Sequence, residues 1–214
     1  MENKKVIIYD FDGVILNSIP AAKANAMQAH PSMTEEQYQS LFHKKPYMDG
    51  LETVEHLRKI ESEEEYKERR RKFSIEKANS NLFDGTLDTL KTLSDKYFLT
   101  INTNAIEENF IPIMEKHDLV PYFLHIAFRE DDSSKMIRNK KIIKQFNTSP
   151  EDAIYITDST GDVVEAHEAG IASIGVTWGV HDREYFEDVA DMNLFGIVDT
   201  QAELIEKINS FFSK

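Results

Sequence analysis

Residues 5–18 read KVIIYDFDGVILNS, and this stretch decides the fold of the chain. Its four apolar or aromatic residues, 6–9, predict a short buried strand that runs directly into an acidic segment. Strand alternation puts Asp10 and Asp12 on the same side, and Gly13 permits the chain to leave the strand by a tight turn. The stretch therefore predicts two carboxylates at the carboxyl end of a strand, which is where open α/β sheets place their ligands.

Similar apolar runs recur along the chain and predict further buried strands. They cover residues 98–101, 123–127, 153–156 and 172–176. Segments in which apolar residues follow a helical spacing lie between most of these strands. This alternation predicts an α/β fold with a doubly wound parallel sheet and helices on both faces of the sheet.

Residues 19–82 differ from the rest because they contain no convincing strand. They include a charged segment, ESEEEYKERRRKFSIEKA, in which Glu and Arg at helical spacings can pair along a solvated face. The Asp49-Gly50 pair predicts a break between helices. We expect a small helical domain at 19–82, over one end of a sheet domain formed by residues 1–18 and 83–214.

Composition limits the classes of partner. The formal net charge of -13 repels nucleic acids and anionic membranes, so a phosphate-bearing ligand needs a local cation or metal. The 214 residues include no Cys, which excludes disulfides and thiolate metal sites. The first apolar run is too short for a signal peptide or a membrane span. We expect a cytoplasmic protein with no nucleic-acid or membrane partner, and leave its oligomeric state open between monomer and weak dimer.

The first pair of carboxylates indicates phosphate chemistry. Side-by-side carboxylates repel each other, so the pair needs a neutralising cation or one protonated member. A divalent cation lets Asp10 approach an anionic phosphate, and a protonated Asp12 can donate a proton to a departing alcohol oxygen. A turn that carries two Asp residues without any chemistry is the alternative.

A second acidic group follows another predicted strand. In AIYITDSTGDVVEAHEAG, residues 153–170, the strand ends at Asp158, and a helix is predicted to begin near Thr160 or Gly161. Because neighbouring parallel strands end at the same edge of a sheet, Asp158 and Asp162 are able to complete an octahedral magnesium site with the first pair. Taken alone, Asp162 is equally typical of the first turn of a helix, where the helix dipole favours Asp.

Two weaker signals concern phosphate binding. FLTINTNA ends a strand at Thr103 and Asn104, whose hydroxyl and backbone N–H groups can cradle a phosphate, although such residues are also common helix caps. Lys135, in DDSSKMIRNKK, can supply positive charge to a transferring phosphoryl group. Other lysines follow closely, so the sequence alone does not single it out.

In order, YDFDGVILNS, INTN, SSK and YITDSTGD resemble the four motifs of the haloacid dehalogenase superfamily, and the resemblance covers essentially the whole chain. The insertion after the first motif is similar to the helical cap of the phosphoglycolate phosphatase and β-phosphoglucomutase branch, and LFDGTLDTLKTL to the segment that returns to the core. The resemblance implies a Rossmann-like core with a small α-helical cap. It also implies magnesium-dependent hydrolysis of a small phosphorylated metabolite.

The resemblance also implies a role for each motif residue. Asp10 would be the nucleophile that forms an aspartyl-phosphate, and Asp12 the general acid and then the general base. Thr103 and Lys135 would grip the phosphoryl oxygens, with Asn104 beside them in the phosphate site. These roles agree with the chemistry that the carboxylates themselves indicate.

The metal ligands follow from the same resemblance. Asp10, Asp158 and the main-chain carbonyl of Asp12 would bind Mg²⁺, and Asp162 would bind or orient the metal and its water ligands. Thr157 stands where this branch usually has Gly, so it adds bulk beside the metal. The separate roles of Asp158 and Asp162 are therefore left open.

Several other functions remain alternatives. Asp12 argues against a dehalogenase, because a halide leaving group needs no proton. A sugar-phosphate mutase is the nearest rival, although Ala22 stands about where such mutases have His. A phosphonatase would need a cap lysine, and nothing distinguishes Lys44 or Lys45 in that role. A non-catalytic binding module with the same fold is the remaining alternative.

Overall fold

The structure is a computed structural model, and it describes residues 5–213 of the chain. Within that range, one parallel sheet of six strands forms the centre of the molecule, in the order β3-β2-β1-β4-β5-β6. The strands are β1 (Val6–Tyr9), β2 (Phe98–Asn102), β3 (Phe123–Ala127), β4 (Ala153–Thr157), β5 (Ala172–Val176) and β6 (Leu194–Val198). The α/β fold with a parallel sheet is therefore confirmed.

The strand that precedes Asp10 is central to the sheet. It pairs in parallel with β2 on one side and with β4 on the other. The strands predicted from the apolar runs are all present, and β2 and β4 each extend one residue further. Strand β6 was not predicted from the sequence; it is a half-buried strand at the edge of the sheet.

Helices cover both faces of the sheet. Ile7 and Tyr9 pack into the larger hydrophobic cluster, whereas Val6 and Ile8 pack into a second cluster on the opposite face. This arrangement is the one that alternating side chains in a doubly covered strand require. The helices are α1 (Ile19–Ala29), α2 (Glu35–Ser40), α3 (Tyr47–Val54), α4 (Glu63–Ala78), α5 (Thr86–Ser94), α6 (Glu107–Lys116), α7 (Lys135–Phe146), α8 (Thr160–Glu168), α9 (Arg183–Glu187) and α10 (Gln201–Phe212).

Residues 19–82, here called the inserted segment, contain the four helices α1 to α4. The break predicted at Asp49-Gly50 was wrong, because both residues lie inside α3. Gly50 is required there for packing, since a Cβ atom at this position would lie 1.9 Å from the carbonyl oxygen of Leu41. The charged helix α4 does pair along its exposed face, as in Glu63 with Lys67.

The two ends of the inserted segment run beside each other where they join the sheet. Leu16 and Leu82 form an isolated antiparallel bridge, and the N–H of Asn17 donates to the carbonyl of Asn81 at 2.9 Å. Gly85 follows with φ +79° and precedes α5. Backbone pairing at these two crossings fixes the start of α1 and the end of α4 near the carboxyl end of β1.

The loop after α2 contacts the start of α8. The N–H of Gly161 donates to the carbonyl of Phe42 at 2.8 Å, and the N–H of Lys44 donates to the hydroxyl of Thr160 at 3.1 Å. A Cβ atom at Gly161 would lie 2.1 Å from the carbonyl oxygen of Lys45, so only glycine permits this approach. The inserted segment thus lies over the carboxyl end of the sheet. Across residues 5–213, none of the helices has the length and apolar character needed to cross a bilayer.

Candidate active site

Asp10 follows β1 and is buried at the carboxyl end of the sheet. One carboxylate oxygen, Oδ1, accepts a hydrogen bond of 2.7 Å from the N–H of Phe11. The other, Oδ2, lies 2.9 Å from Nζ of Lys135, the first residue of α7. Lys135 is only 3% exposed, so the structure singles out this lysine where the sequence did not.

Asp162 shares the same lysine. Its Oδ2 lies 2.6 Å from Nζ of Lys135 and accepts a hydrogen bond of 3.1 Å from the hydroxyl of Thr157. The Thr157 hydroxyl also accepts a hydrogen bond of 3.0 Å from the N–H of Ser159. Thr157 therefore orients Asp162 and the turn into α8, in addition to occupying space.

Asp158 lies against two glycines at the same edge of the sheet. Its Oδ2 accepts a hydrogen bond of 2.8 Å from the N–H of Val180. A Cβ atom at Gly13 would lie 1.9 Å from this oxygen, and one at Gly179 would lie 2.2 Å from Cβ of Asp158. The close packing of Gly13 and Gly179 leaves the Asp158 side chain little room to move.

The three buried carboxylates carry more negative charge than Lys135 alone balances. Burial raises the pKa of Asp158 to about 7. Burial, together with the charges of Asp162 and Asp158, raises the pKa of Asp10 well above its usual range against the opposing effect of Lys135. Although burial opposes ionisation of Asp162 as well, Lys135 and the hydrogen bonds hold its pKa below the ordinary value. Asp162 is therefore the natural anionic partner of Lys135.

These carboxylates suit a hard divalent cation by their chemistry. Oxygen ligands are what Mg²⁺ prefers, and a second cation would favour the ionised forms that burial disfavours at Asp10 and Asp158. Among residues 5–213, no group of three or more His, Cys, Asp or Glu side chains is arranged so that it could hold a metal ion directly. The carboxylate oxygens are ligands of the type that Mg²⁺ binds. In the structure, the positive charge that contacts both Asp10 and Asp162 is the ammonium group of Lys135.

Asp12 has a separate set of partners. Its Oδ1 accepts a hydrogen bond of 2.6 Å from the hydroxyl of Ser18, which precedes α1. Its Oδ2 lies 2.6 Å from Nζ of Lys77, in the last turn of α4. Asp12 is thus held by Ser18, directly before the inserted segment, and by Lys77 near the end of that segment, whereas Asp10 is held by Lys135.

Thr103 and Asn104 follow β2 at the same edge of the sheet. Thr103 is fully buried, and its hydroxyl accepts a hydrogen bond of 3.1 Å from the N–H of Ala105. The side-chain oxygen of Asn104 accepts a hydrogen bond of 2.6 Å from Arg138. The side-chain oxygen of Asn104 is therefore bonded to the protein, and Thr103 is fixed by its own loop.

Three residues that lie around these motifs were not predicted from the sequence. They are Lys77, Arg138 and Tyr38. Arg138 follows Lys135 by one helical turn, so the spacing of the two cations on α7 was a usable signal. Lys77 and Tyr38 lie in the inserted segment, and their proximity to Asp12 and Val180 depends on tertiary packing that no local pattern reveals.

A cavity of about 500 Å³ opens between the inserted segment and the loop that contacts Asp158. Its walls come from α1, α2 and residues 179–180, and they include Lys23, Tyr38 and Gln39. Val180 lines the cavity and also donates its N–H to Asp158, so the wall of the cavity includes a residue that is bonded to the acidic group. The residues that line the cavity do not include the motif carboxylates, so its link to the site is the hydrogen bond from Val180 to Asp158.

Comparison with known proteins gives a consistent family. A family model described as haloacid dehalogenase-like hydrolase matches residues 7–176. The phosphoglycolate phosphatase of Vibrio parahaemolyticus is 25% identical over 222 residues, covering 95% of this chain and 96% of the relative. The phosphoglycolate phosphatase of Synechococcus elongatus is 24% identical over 190 residues, covering 84% and 87%.

Solved structures agree on the fold. A haloacid dehalogenase-like protein from Agrobacterium tumefaciens has a TM-score of 0.79 at 20% identity, covering 99% of this chain and 100% of that structure. A haloacid dehalogenase-like hydrolase from Streptococcus pneumoniae has a TM-score of 0.74 at 20% identity, covering 96% and 99%. The match to the family model spans well over half of the chain, and the chain therefore belongs to the haloacid dehalogenase-like hydrolases.

Proposed function

We propose that the chain is a magnesium-dependent phosphatase that hydrolyses a small phosphate monoester through an aspartyl-phosphate at Asp10. The observation that carries the proposal is the contact of Lys135 Nζ with Asp10 Oδ2 at 2.9 Å and with Asp162 Oδ2 at 2.6 Å. This contact joins the end of β1 to the first turn of α8 through a buried cation, where family members have a nucleophile and a metal site. The phosphatase names of the relatives support the same chemistry.

The reaction needs two groups from the loop after β1. An oxygen of Asp10 attacks phosphorus, the bond from phosphorus to the ester oxygen breaks, and Asp12 donates a proton to the departing alcohol. A water molecule then attacks the phosphoryl group on Asp10, while Asp12 removes a proton from that water. The bond from phosphorus to the Asp10 oxygen breaks, inorganic phosphate leaves, and both carboxyl groups return to their starting states.

Positive charge must balance the phosphoryl oxygens during both steps. We assign this work to the Lys135 ammonium group and the loop at Thr103 and Asn104. Asp10, Asp158, Asp162 and the main-chain carbonyl of Asp12 are the groups that would hold Mg²⁺. When bound, the metal supplies Lewis-acid polarisation of the phosphoryl group and neutralises the buried carboxylates.

We also propose that residues 19–82 act as a cap over a core formed by 1–18 and 83–214. The cavity between α1, α2 and residues 179–180 would receive the leaving group of the substrate. Its size suits a small metabolite. Closure of such a cap would limit access of water while Asp10 is attacking.

The test is a screen of small phosphorylated metabolites, including phosphoglycolate, for release of inorganic phosphate with and without Mg²⁺. We expect phosphate release that EDTA abolishes and Mg²⁺ restores. Asp10→Asn should reduce the rate to background, because the nucleophile is lost. Asp95→Asn is the matched control, since Asp95 is an exposed carboxylate at the end of α5.

Three results would contradict the proposal in different ways. Phosphate release that persists in Asp10→Asn would exclude Asp10 as the nucleophile. Isomerisation of a sugar phosphate with little phosphate release would indicate a mutase. Saturable binding of a metabolite without any turnover, in the presence of Mg²⁺, would indicate a binding module.

A further inference from the structure

Arg138 is fully buried, and the described residues offer its guanidinium group no carboxylate within ion-pair distance. Among the described residues, the three oxygens that accept its hydrogen bonds are all uncharged. Nε donates to Oδ1 of Asn102 at 2.6 Å, Nη2 donates to Oδ1 of Asn104 at 2.6 Å, and Nη1 donates to the carbonyl of Asp132. The nearby Asp132 carboxylate interacts with the guanidinium group only at longer range, and it accepts a hydrogen bond of 3.2 Å from the N–H of Ser134.

Such an arrangement is costly for folding alone. A guanidinium group stays protonated in proteins, and a buried charge with no carboxylate in direct contact loses hydration that neutral oxygens replace only in part. An apolar side chain of similar size would fill the same space without this cost. The planar fork of Arg138 does provide one thing that an apolar residue lacks, which is three hydrogen bonds with fixed directions.

The positions of the residues that accept these hydrogen bonds indicate which part of the structure Arg138 fixes. Asn102 and Asn104 flank Thr103, so Arg138 holds the residues on both sides of the proposed phosphate-binding threonine. Thr103 itself donates its N–H to the carbonyl of Ala127 at 3.0 Å. The fork therefore fixes the loop after β2 from the α7 side, while β3 holds it from the other side.

The same network reaches Lys135. Nδ2 of Asn102 donates to the main-chain carbonyl of Lys135 at 3.0 Å and to Oδ1 of Asn139 at 2.7 Å. Arg138 lies one turn further along the same helix. One buried group of side chains thus sets the distance between Thr103 and Lys135, which approach the phosphoryl group from two different elements.

We propose that Arg138 is a positioning residue that holds the Asn102–Asn104 loop against the start of α7, so that Thr103 and Lys135 bind one phosphoryl group together. This role rests on the proposed phosphatase function. It requires the geometry of the guanidinium fork, and positive charge at the same place is not sufficient. Lys135 and Thr103 contact the phosphoryl group, whereas Arg138 acts through its neighbours.

The test compares Arg138→Lys and Arg138→Met with Lys141→Met. Lys141 is the matched control, because it is an exposed cation of α7 that donates to the carbonyl of Asp131 in the same loop without contacting the neighbours of Thr103. Each variant is assayed for kcat and KM with an aryl phosphate, and for binding of inorganic phosphate with Mg²⁺ by calorimetry. Hydrogen exchange of the Thr103 and Ala105 amides reports on the loop directly.

We expect both Arg138 variants to lose about 10-fold to 100-fold in kcat/KM and to bind inorganic phosphate at least about tenfold more weakly, as small misplacements of reacting groups typically do. The Thr103 and Ala105 amides should exchange faster in both variants. Lys141→Met should resemble the wild type. A merely structural role would instead lower the unfolding temperature and leave phosphate affinity and kcat of the folded enzyme unchanged.

Arg138→Lys within twofold of the wild type in all three measurements would overturn the proposal, because charge alone would then suffice. If neither Arg138 variant folds, Asn104→Ala removes one acceptor of the fork and leaves Arg138 in place. Faster exchange at Thr103 in Asn104→Ala supports the proposal, and unchanged exchange overturns it. If the wild type releases no phosphate, the proposed function fails, whereas the exchange and phosphate-binding measurements still decide the role of Arg138.

Discussion

Lys77 Nζ lies 2.6 Å from Asp12 Oδ2, and this ion pair joins the end of the inserted segment to the proposed general acid. The other oxygen of Asp12 accepts a hydrogen bond of 2.6 Å from Ser18. Because Ser18 precedes α1 and Lys77 lies near the end of α4, both crossings into the inserted segment hold one carboxylate. The placement of Asp12 therefore depends on where the inserted segment sits over the sheet.

Lys77→Met should lower kcat by about tenfold, a part of the 10²-fold to 10⁴-fold that general acid–base catalysis typically contributes, because Asp12 loses the cation that orients its carboxylate to remove a proton from water. The measurement is steady-state kinetics with an aryl phosphate, whose good leaving group leaves the attack of water as the slower step. Lys72→Met is the control, since Lys72 is an exposed lysine of α4 that pairs with Glu76 at 3.8 Å. An unchanged kcat in Lys77→Met would show that the ion pair does not position Asp12 for catalysis.

Gly13→Ala should abolish measurable activity, whereas Gly85→Ala should leave most of it. Both glycines have φ +79°, so both substitutions cost about 1 kcal/mol or more in backbone strain. At Gly13 the new Cβ atom would lie 1.9 Å from Asp158 Oδ2, but at Gly85 the nearest atom, of Gln201, would lie 3.5 Å away. Urea denaturation of the two variants measures the backbone strain that they share, and steady-state kinetics measures the displacement of Asp158 that is expected only in Gly13→Ala. Equal losses in both variants would contradict the packing argument.

Much of the fold was predictable because the signals are local. Short, largely apolar runs predict buried strands of a parallel sheet, and five of the six strands were predicted in this way. Strand β6, half-buried at the edge of the sheet, was not predicted. The parallel order then brings Asp10 and Asp158 to neighbouring strand ends, which sequence reasoning could anticipate from β1 and β4 alone.

The candidate site was predictable only in part for a related reason. Carboxylates that end a strand can be recognised by their position. Lys77 cannot, because its partner Asp12 lies 65 residues away in the chain. The spacing of Arg138 from Lys135 marks two cations on one helix, but it does not reveal the bonds of Arg138 to Asn102 and Asn104, which lie 36 and 34 residues away. Gly50 led to a wrong prediction, because the Asp49-Gly50 pair was expected to break a helix that in fact continues through it. A Gly after Asp usually indicates a turn, whereas here tight packing on Leu41 requires Gly inside a helix.

Tyr38→Phe should leave the ligand-free protein as stable as the wild type or about 1 kcal/mol more stable, because the buried Tyr38 hydroxyl has no hydrogen-bond partner among residues 5–213. Tyr38 also lines the cavity beside residues 179–180, so we expect KM to rise several-fold if the substrate provides that partner. Chemical denaturation and steady-state kinetics check the two effects separately. The control is Tyr66→Phe at an exposed tyrosine. A clear loss of stability in Tyr38→Phe would mean that the hydroxyl is bonded in solution.

His181 makes the contact between the sheet and the inserted segment sensitive to acid. Its Nδ1 accepts a hydrogen bond of 3.1 Å from the N–H of Thr160, so its Nε2, 3.0 Å from the carbonyl of Gln39, must carry the proton of a neutral ring. Burial lowers the pKa of His181 to about 4 from its ordinary value of 6.5. The unfolded chain therefore binds this proton first as the pH falls.

The free energy of unfolding should then have its full value above pH 6.5 and decrease as the pH falls toward 4. The contribution of His181 to this decrease should reach about 3 kcal/mol. His181→Asn can keep one donor and one acceptor but does not titrate, so its free energy of unfolding should fall less steeply over that interval. Urea denaturation at several pH values between 7.5 and 4.5 measures the two slopes. His167→Gln, at an exposed histidine, is the control. Identical slopes in His181→Asn and the wild type would assign the acid sensitivity to other groups, because a residue without a titrating ring cannot take up the proton on unfolding.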